Sequence, residues 1–261
     1  MREQLLLLVR VSKPEYNRTL YNDYTLYMNP QMAFKNDVLT DGQRDDLEGA
    51  ISTIPGQLLY SDDGKKTWKL LCNITKSYQN SNAYIFCMYG LKYDSQYYRS
   101  EENKYFYPIP WSYIESLWQG DGTEMLIIVN TATFINKFHK AAQNAGLSHA
   151  YGKVHYDLSD KLTDVNYLNT AMNDEFESIF HKRAEGYELQ KEVRFAVICP
   201  DKPDHYELSL ENNQDLIFTT IPLCYGKNIG VELSNLEFDP QSGLPVKFSS
   251  EIKYFESEYI G

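Results

Sequence analysis

Apolar residues in this chain come mostly in short blocks of branched and aromatic side chains, each closed off by polar turn residues, a spacing that favours strands over long helices. The aliphatic runs Leu5 to Val9 and Met125 to Val129 are strand-sized. Both fall far short of the ~20 residues a membrane helix requires. Leu5 to Val9 is also shorter than the ~7–15-residue core of a secretory signal. The expectation is a cytoplasmic protein with no membrane partner.

Strands are predicted at Gln4 to Val11, Tyr24 to Met28, Gln57 to Tyr60, Thr67 to Cys72, Ala83 to Tyr89, Met125 to Val129 and around Lys153 to Asp157. The final third alternates strand-like runs at Gln190 to Cys199, His205 to Leu210, Leu216 to Thr219, Gly230 to Phe238 and Val246 to Phe255. Between the first two strands, Ser12 and Glu15 are spaced as a capping box, with Pro14 in the first turn of a short helix ending near Asn22. Asp41 is placed to cap a helix carrying Arg44 and Glu48 on one face, a segment that either faces water with a salt bridge or lines a site. The clearest helix follows Asn130: Phe134, Phe138, Ala141 and Ala145 recur at helical spacing, and Gly146 supplies a left-handed terminator. An amphipathic helix is expected from about Leu168 to Arg183, with Gly186 as its stop. No internal repeat and no Pro- or Ser-rich linker divides the chain. Strands outnumber helices, so the predicted fold is α+β: a mixed, mainly antiparallel sheet with flanking helices, in a single domain spanning residues 1–261.

The balance of 25 Lys+Arg against 36 Asp+Glu gives a formal charge of −11 and disfavours non-specific nucleic acid binding, which draws on a basic surface. The 22 tyrosines suit half-exposed sheet faces and binding clefts, because the ring can be buried while the hydroxyl stays wet. Cys72, Cys87, Cys199 and Cys224 are scattered, with no closely spaced pair to clamp zinc, and read as reduced, mostly buried small hydrophobes. A glycine-rich phosphate loop, a His-Glu-x-x-His zinc helix, a Gly-x-Ser-x-Gly elbow and a dinucleotide-binding glycine fingerprint are all missing. His139, His149, His155, His181 and His205 are too dispersed to suggest a metal cluster.

One stretch concentrates polar chemistry: Phe180-His181-Lys182-Arg183, then Gly186 through Phe195. As a strand, this segment places Glu188, Gln190, Glu192 and Arg194 on one face, with Leu189, Val193 and Phe195 on the other. Such a row is costly on a central strand unless its members are solvated, paired or used. It reads either as an ion-paired face, Glu192 with Arg194 or Arg183, or as a cleft floor.

Arg183, Tyr187, Gln190, Glu192 and Arg194, with Tyr27-Met28-Asn29-Pro30 and Gly42-Gln43-Arg44-Asp45-Asp46-Leu47-Glu48-Gly49, resemble a family of uncharacterised bacterial and phage proteins. The likeness rests on short Arg-Asp-x-x-Glu-Gly and Tyr-x-x-Gln-x-Glu-x-Arg motifs and runs from about Leu5 to Arg194. A second resemblance carries a mechanism. Arg10 on the first strand, Tyr89 on a middle strand and Gln190-Lys191-Glu192 on a late strand are similar, in type and order, to the site residues of mono-ADP-ribosyltransferases. That likeness implies NAD as substrate, Arg10 on its phosphates or nicotinamide ribose, Tyr89 stacked on nicotinamide, Glu192 bonded to a ribose hydroxyl and Gln190 orienting the acceptor. The types suit the chemistry: a guanidinium fork for phosphate oxygens and a carboxylate for the cation that forms as nicotinamide leaves. The middle strand, Phe86-Cys87-Met88-Tyr89-Gly90, departs from the Ser-Thr-Ser pattern of many transferases. Arg10 also has a plainer reading, as a strand-end charge paired with Glu15 or Asp23.

Three functions therefore stand side by side. The first is an NAD-dependent ADP-ribosyltransferase-like toxin or defence-related protein. The second is a non-catalytic binding protein, a phage anti-defence inhibitor or toxin partner, using a Tyr-rich acidic surface against a protein partner. The third is metal-dependent nuclease chemistry on Asp37, Asp45, Asp46, Glu48, Glu188 and Glu192 with Lys191, although Glu188 and Lys191 are three apart where a carboxylate-x-Lys strand needs two.

Overall fold

In a computed structural model, the residues described are 5–35, 45–53, 56–60, 69–74, 77–78, 82–92, 98–99, 104–109, 111–128, 130–185, 187, 191–201, 203–211, 216, 218–238 and 245–255. The strands are Leu5–Ser12 (β1), Thr25–Pro30 (β2), Ala50–Ser52 (β3), Gly56–Tyr60 (β4), Lys69–Ile74 (β5), Ser77–Tyr78 (β6), Ala83–Lys92 (β7) and Tyr98–Arg99 (β8). They continue with Lys104–Ile109 (β9), Glu124–Ile128 (β10), Ser148–Lys153 (β11), Glu192–Ile198 (β12), Tyr206–Ser209 (β13), Phe218–Pro222 (β14), Asn228–Phe238 (β15) and Pro245–Phe255 (β16). The α-helices are Pro14–Tyr21 (α1), Trp111–Ile114 (α2), Thr131–Asn144 (α3), Leu158–Lys161 (α4) and Val165–Asn173 (α5).

Leu7, Leu8, Val9 and Val11 are all buried, so β1 is covered on both faces and belongs in the middle of a sheet. The main sheet has the order β11-β12-β7-β1-β10-β14, antiparallel at every pairing, with β2 also against β7 and β13 outside β2. On one face, Leu8, Phe86, Leu126, Val193 and Phe195 pack under α3. There the rings of Phe134 and Phe138 each meet Phe195 edge-on at 5.1 Å. The opposite face is shared. Leu7, Val9, Tyr89 and Met125 meet Ile109 and Val231 of a second sheet, ordered β16-β15-β9-β8, while Ile85, Ala196 and Ile198 meet Ile179. The architecture is α+β with a mainly antiparallel sheet, as expected from the sequence. None of the described helices is long and apolar enough to cross a membrane.

The register of β7 creates the feature that matters most. One edge of β7 pairs with β12 continuously from Ala83 to Tyr89. β1 and β2 must therefore share the other edge: β2 pairs at Tyr84 and Ile85, and β1 from Tyr89 onward. Neither strand pairs with residues 86–88. β1 leaves β7 after Val9 and continues through Arg10 to Ser12 paired to β10 alone. The sheet is parted there.

Several local expectations are corrected. Ser12 is a buried strand residue paired with Glu124, so it does not form a capping box; Lys13 is the α1 N-cap and makes no side-chain cap bond. Asn130 likewise precedes α3 without a cap bond, although Gly146 does end the region with φ of 68°. The strand expected at Lys153 to Asp157 lies earlier, at Ser148–Lys153. The long helix expected from Leu168 to Arg183 is α5 followed by a 3-10 turn, Glu177–Phe180, because Asp174 leaves helical geometry and accepts from the Phe176 N–H instead. Of the helix expected after Asp41, residues 41–44 lie outside the described residues. Asp46 to Gly49 form turns, and Glu48 is buried.

Candidate functional site

Where the sheet parts, a cavity of about 860 Å³ opens, within the ~300–1,000 Å³ span of small-molecule sites. Its walls come from Val9 to Lys13 at the end of β1, Ile85 to Tyr89 of β7, Tyr27 and Asn29 of β2, Leu117 to Gln119 before β10, and Lys182 and Glu192. Arg10, Tyr89 and Glu192, far apart in sequence, thus line one space. They reach it from different directions. Register pairs Glu192 with Tyr89, on the face they share with Cys87, whereas Arg10 lies over the Phe86 ring at 4.3 Å, toward α3. Gln190 lies outside the described residues.

Arg10 is half-buried, and no carboxylate among the described residues offsets its charge; the expected pairing with Glu15 or Asp23 does not occur there. Burial lowers its guanidinium to about 10, with a small opposing contribution from Cys87. A cation in this condition gains from any anion that enters. Lys13 and Lys182 also line the cavity, so three cations face one carboxylate in a chain whose total charge is −11.

That carboxylate is held tightly. Arg194 Nε donates to Glu192 Oε1 at 2.7 Å, and Lys182 Nζ donates to Oε2 at 3.3 Å. Burial works to raise the Glu192 carboxyl, but Arg194 and Lys182, with hydrogen bonds from Arg194 and the Cys87 thiol, outweigh it and hold it far below the ordinary carboxylate range. Burial and the neighbouring Glu192 push the Cys87 thiol well above its usual value, so it serves as a donor to the carboxylate, not as a thiolate. The Glu192 backbone N–H donates to the Tyr156 hydroxyl at 3.0 Å, and Lys191 enters β12 with φ of 43°, an uncommon conformation for a side-chain-bearing residue.

Behind Glu192 lies an ion-pair network that extends the expected Glu192–Arg194 pair to Glu48 and Gln31. Arg194 is 1% exposed and makes a bidentate pair with Glu48, at 2.7 Å to Oε1 and 2.9 Å to Oε2, while also donating to the Ile179 carbonyl at 2.6 Å. Gln31 Nε2 donates to Glu48 Oε1 at 3.1 Å. The network joins the turn before β3, the segment after α5 and the sheet. Arg183 approaches buried Asp45 at 3.2 Å and donates to the Tyr187 hydroxyl, so the Glu192–Arg194 pairing expected from sequence forms and the Glu192–Arg183 one is replaced. Of the carboxylates in the nuclease reading, Glu48 and Glu192 pair with Arg194 and Asp45 lies beside Arg183, while Asp37 and Glu188 lie outside the described residues. Among the described residues, no group of three or more His, Cys, Asp and Glu side chains could hold a metal.

Cys87, Cys199 and Cys224 are free thiols. In comparisons with known proteins, no family model, curated protein or solved structure matches this chain.

Proposed function

We propose that the cavity binds a dinucleotide of the NAD class and that the protein is an ADP-ribosyltransferase-like enzyme, acting as a toxin or defence effector. The observation that carries this reading is that Arg10 and Glu192 line one cavity at the parting of the central sheet. In it, the Arg10 guanidinium, without a carboxylate partner among the described residues, takes the pyrophosphate, assisted by Lys13, and Tyr89 offers a ring beside the departing nicotinamide.

The bond between nicotinamide and ribose breaks with its electron pair going to the ring nitrogen, so nicotinamide leaves neutral. Positive charge builds at the anomeric carbon until a nucleophile, water or an acceptor group, attacks it and gives up its proton to solvent. Glu192, ionised throughout the ordinary pH range, suits electrostatic stabilisation of that cation and is unsuited to donating a proton. Cys87, Lys182 and Arg194 keep it oriented without needing the solvent to reorganise. Gln190 is assigned the acceptor on the strength of its resemblance alone.

The test is release of nicotinamide from NAD by purified protein. The expected result is turnover that Glu192→Gln reduces at least 100-fold while NAD affinity changes little. Equal release by the variant overturns the assignment. One observation favours a second reading: both oxygens of Glu192 already have partners. A binding protein that holds a nucleotide without consuming it would show NAD affinity and no release.

A further inference from the structure

Trp118, just after the 3-10 turn Glu115–Leu117, is among the residues that line the cavity. Its indole is fixed from outside. Trp111 meets it edge-on at a centroid distance of 5.4 Å, Tyr225 at 6.1 Å, and Trp111 and Tyr225 meet each other at 5.1 Å. The Asn228 side-chain oxygen accepts from the Trp111 backbone N–H at 2.9 Å and ties the two contributing segments together. Trp111 and Trp118 pack on the core cluster of Val9, Tyr89 and Ile229, yet Tyr225 is 69% exposed. A three-ring cluster so held, with one indole bordering a cavity rich in cations, has the properties of a stacking surface: its ring position is set in advance, so a flat ligand ring meets it at little cost in side-chain entropy.

Resting on the nucleotide reading above, we infer that Trp118 is the platform for a nucleobase and sets the preference of this site for nucleotides over base-free phosphates. The occupant is the purine of the same ligand whose phosphates face Arg10. A polynucleotide is disfavoured by the charge of −11. Trp118 acts by stacking, and Trp111 and Tyr225 are positioning residues that hold its plane.

Calorimetric titration of the full chain with AMP, ribose 5-phosphate, inorganic pyrophosphate and NAD tests this. A stacked base strengthens binding about 5- to 150-fold. The wild-type protein is therefore expected to bind AMP more tightly than ribose 5-phosphate by that factor, a comparison that needs no variant. Trp118→Ala is expected to lose the same factor for AMP and NAD and to keep its pyrophosphate affinity, and Trp118→Phe to recover most of the loss. Equal wild-type affinity for AMP and ribose 5-phosphate, or unchanged NAD binding by Trp118→Ala, overturns the platform and leaves the NAD reading standing. An equal loss for pyrophosphate makes Trp118 structural and also overturns it. Wild-type protein that binds neither AMP nor NAD overturns both.

Discussion

Replacing Arg194 by Met is the sharpest perturbation of the network beneath the cavity. The guanidinium is 1% exposed and makes four hydrogen bonds: two to Glu48, one to Glu192 and one to the Ile179 carbonyl. Met fills much of the volume but leaves two buried carboxylates: among the described residues, Glu48 keeps the Gln31 amide at 3.1 Å and Glu192 keeps Lys182 at 3.3 Å and the Cys87 thiol. Breaking one buried pair from one side costs ~3–5 kcal/mol, and with two anions stranded the upper part of that range, ~4–5 kcal/mol, is expected at pH 7.5. At ~2–4 °C per kcal/mol for a chain near this size, the melting temperature falls by about 8–20 °C. In the wild type, the depressed Glu192 carboxyl contributes stability that is present above its unfolded value and lost only as pH falls through its much lower folded value. In the variant, burial still disfavours the Glu192 carboxylate but the Arg194 charge that outweighed it is gone, so the deficit is largest at neutral pH and shrinks as the pH is lowered. Urea unfolding at pH 7.5, 6.5 and 5.5, with Glu48→Gln as the second arm of a double-mutant cycle, measures this. A deficit below about 1 kcal/mol, or one that does not change with pH, refutes the reasoning.

The depression of Glu192 also predicts that NAD turnover has no acid limb assignable to this group between pH 8 and 5; a pH–rate profile in which kcat falls with a midpoint above pH 5, and in which Glu192→Asp moves that midpoint, contradicts it. Phe138, fully buried and edge-on to Phe195, is expected to cost ~3–5 kcal/mol on replacement by Ala, read by urea unfolding. Gly146 has φ of 68° with nothing within 4 Å of an added Cβ, so Gly146→Ala is expected to cost ~1–2 kcal/mol from backbone strain alone; a neutral result would show that the α3 terminus relaxes.

The strands were largely legible because their periodicity is local: β1, β7 and β10 announce themselves as blocks of branched and aromatic residues, and their pairing as a buried antiparallel core follows. Arg10, Tyr89 and Glu192 are singled out by resemblance alone, and they line one cavity because β1, β7 and β12 are neighbours in the sheet. The parting of β1 from β7 could not, since it depends on which strand claims each half of one β7 edge. Whether Glu48 faces water or lines a site is not decided by the sequence, because its partner stands 146 residues away, a distance no local pattern spans. Lys182 lay within a stretch already marked as polar, but its reach to Glu192 is a tertiary fact. Trp118 gave no sequence signal at all, because its significance comes from the two rings that brace it.

The most direct measurement is a crystal structure of the protein with ADP-ribose. The expected density lies in the cavity between β1 and β7, with pyrophosphate oxygens on the Arg10 guanidinium and the terminal ribose directed at Glu192. Density at another place on the molecule, or phosphates that leave Arg10 without an anion, would contradict a nucleotide site built on the parted sheet.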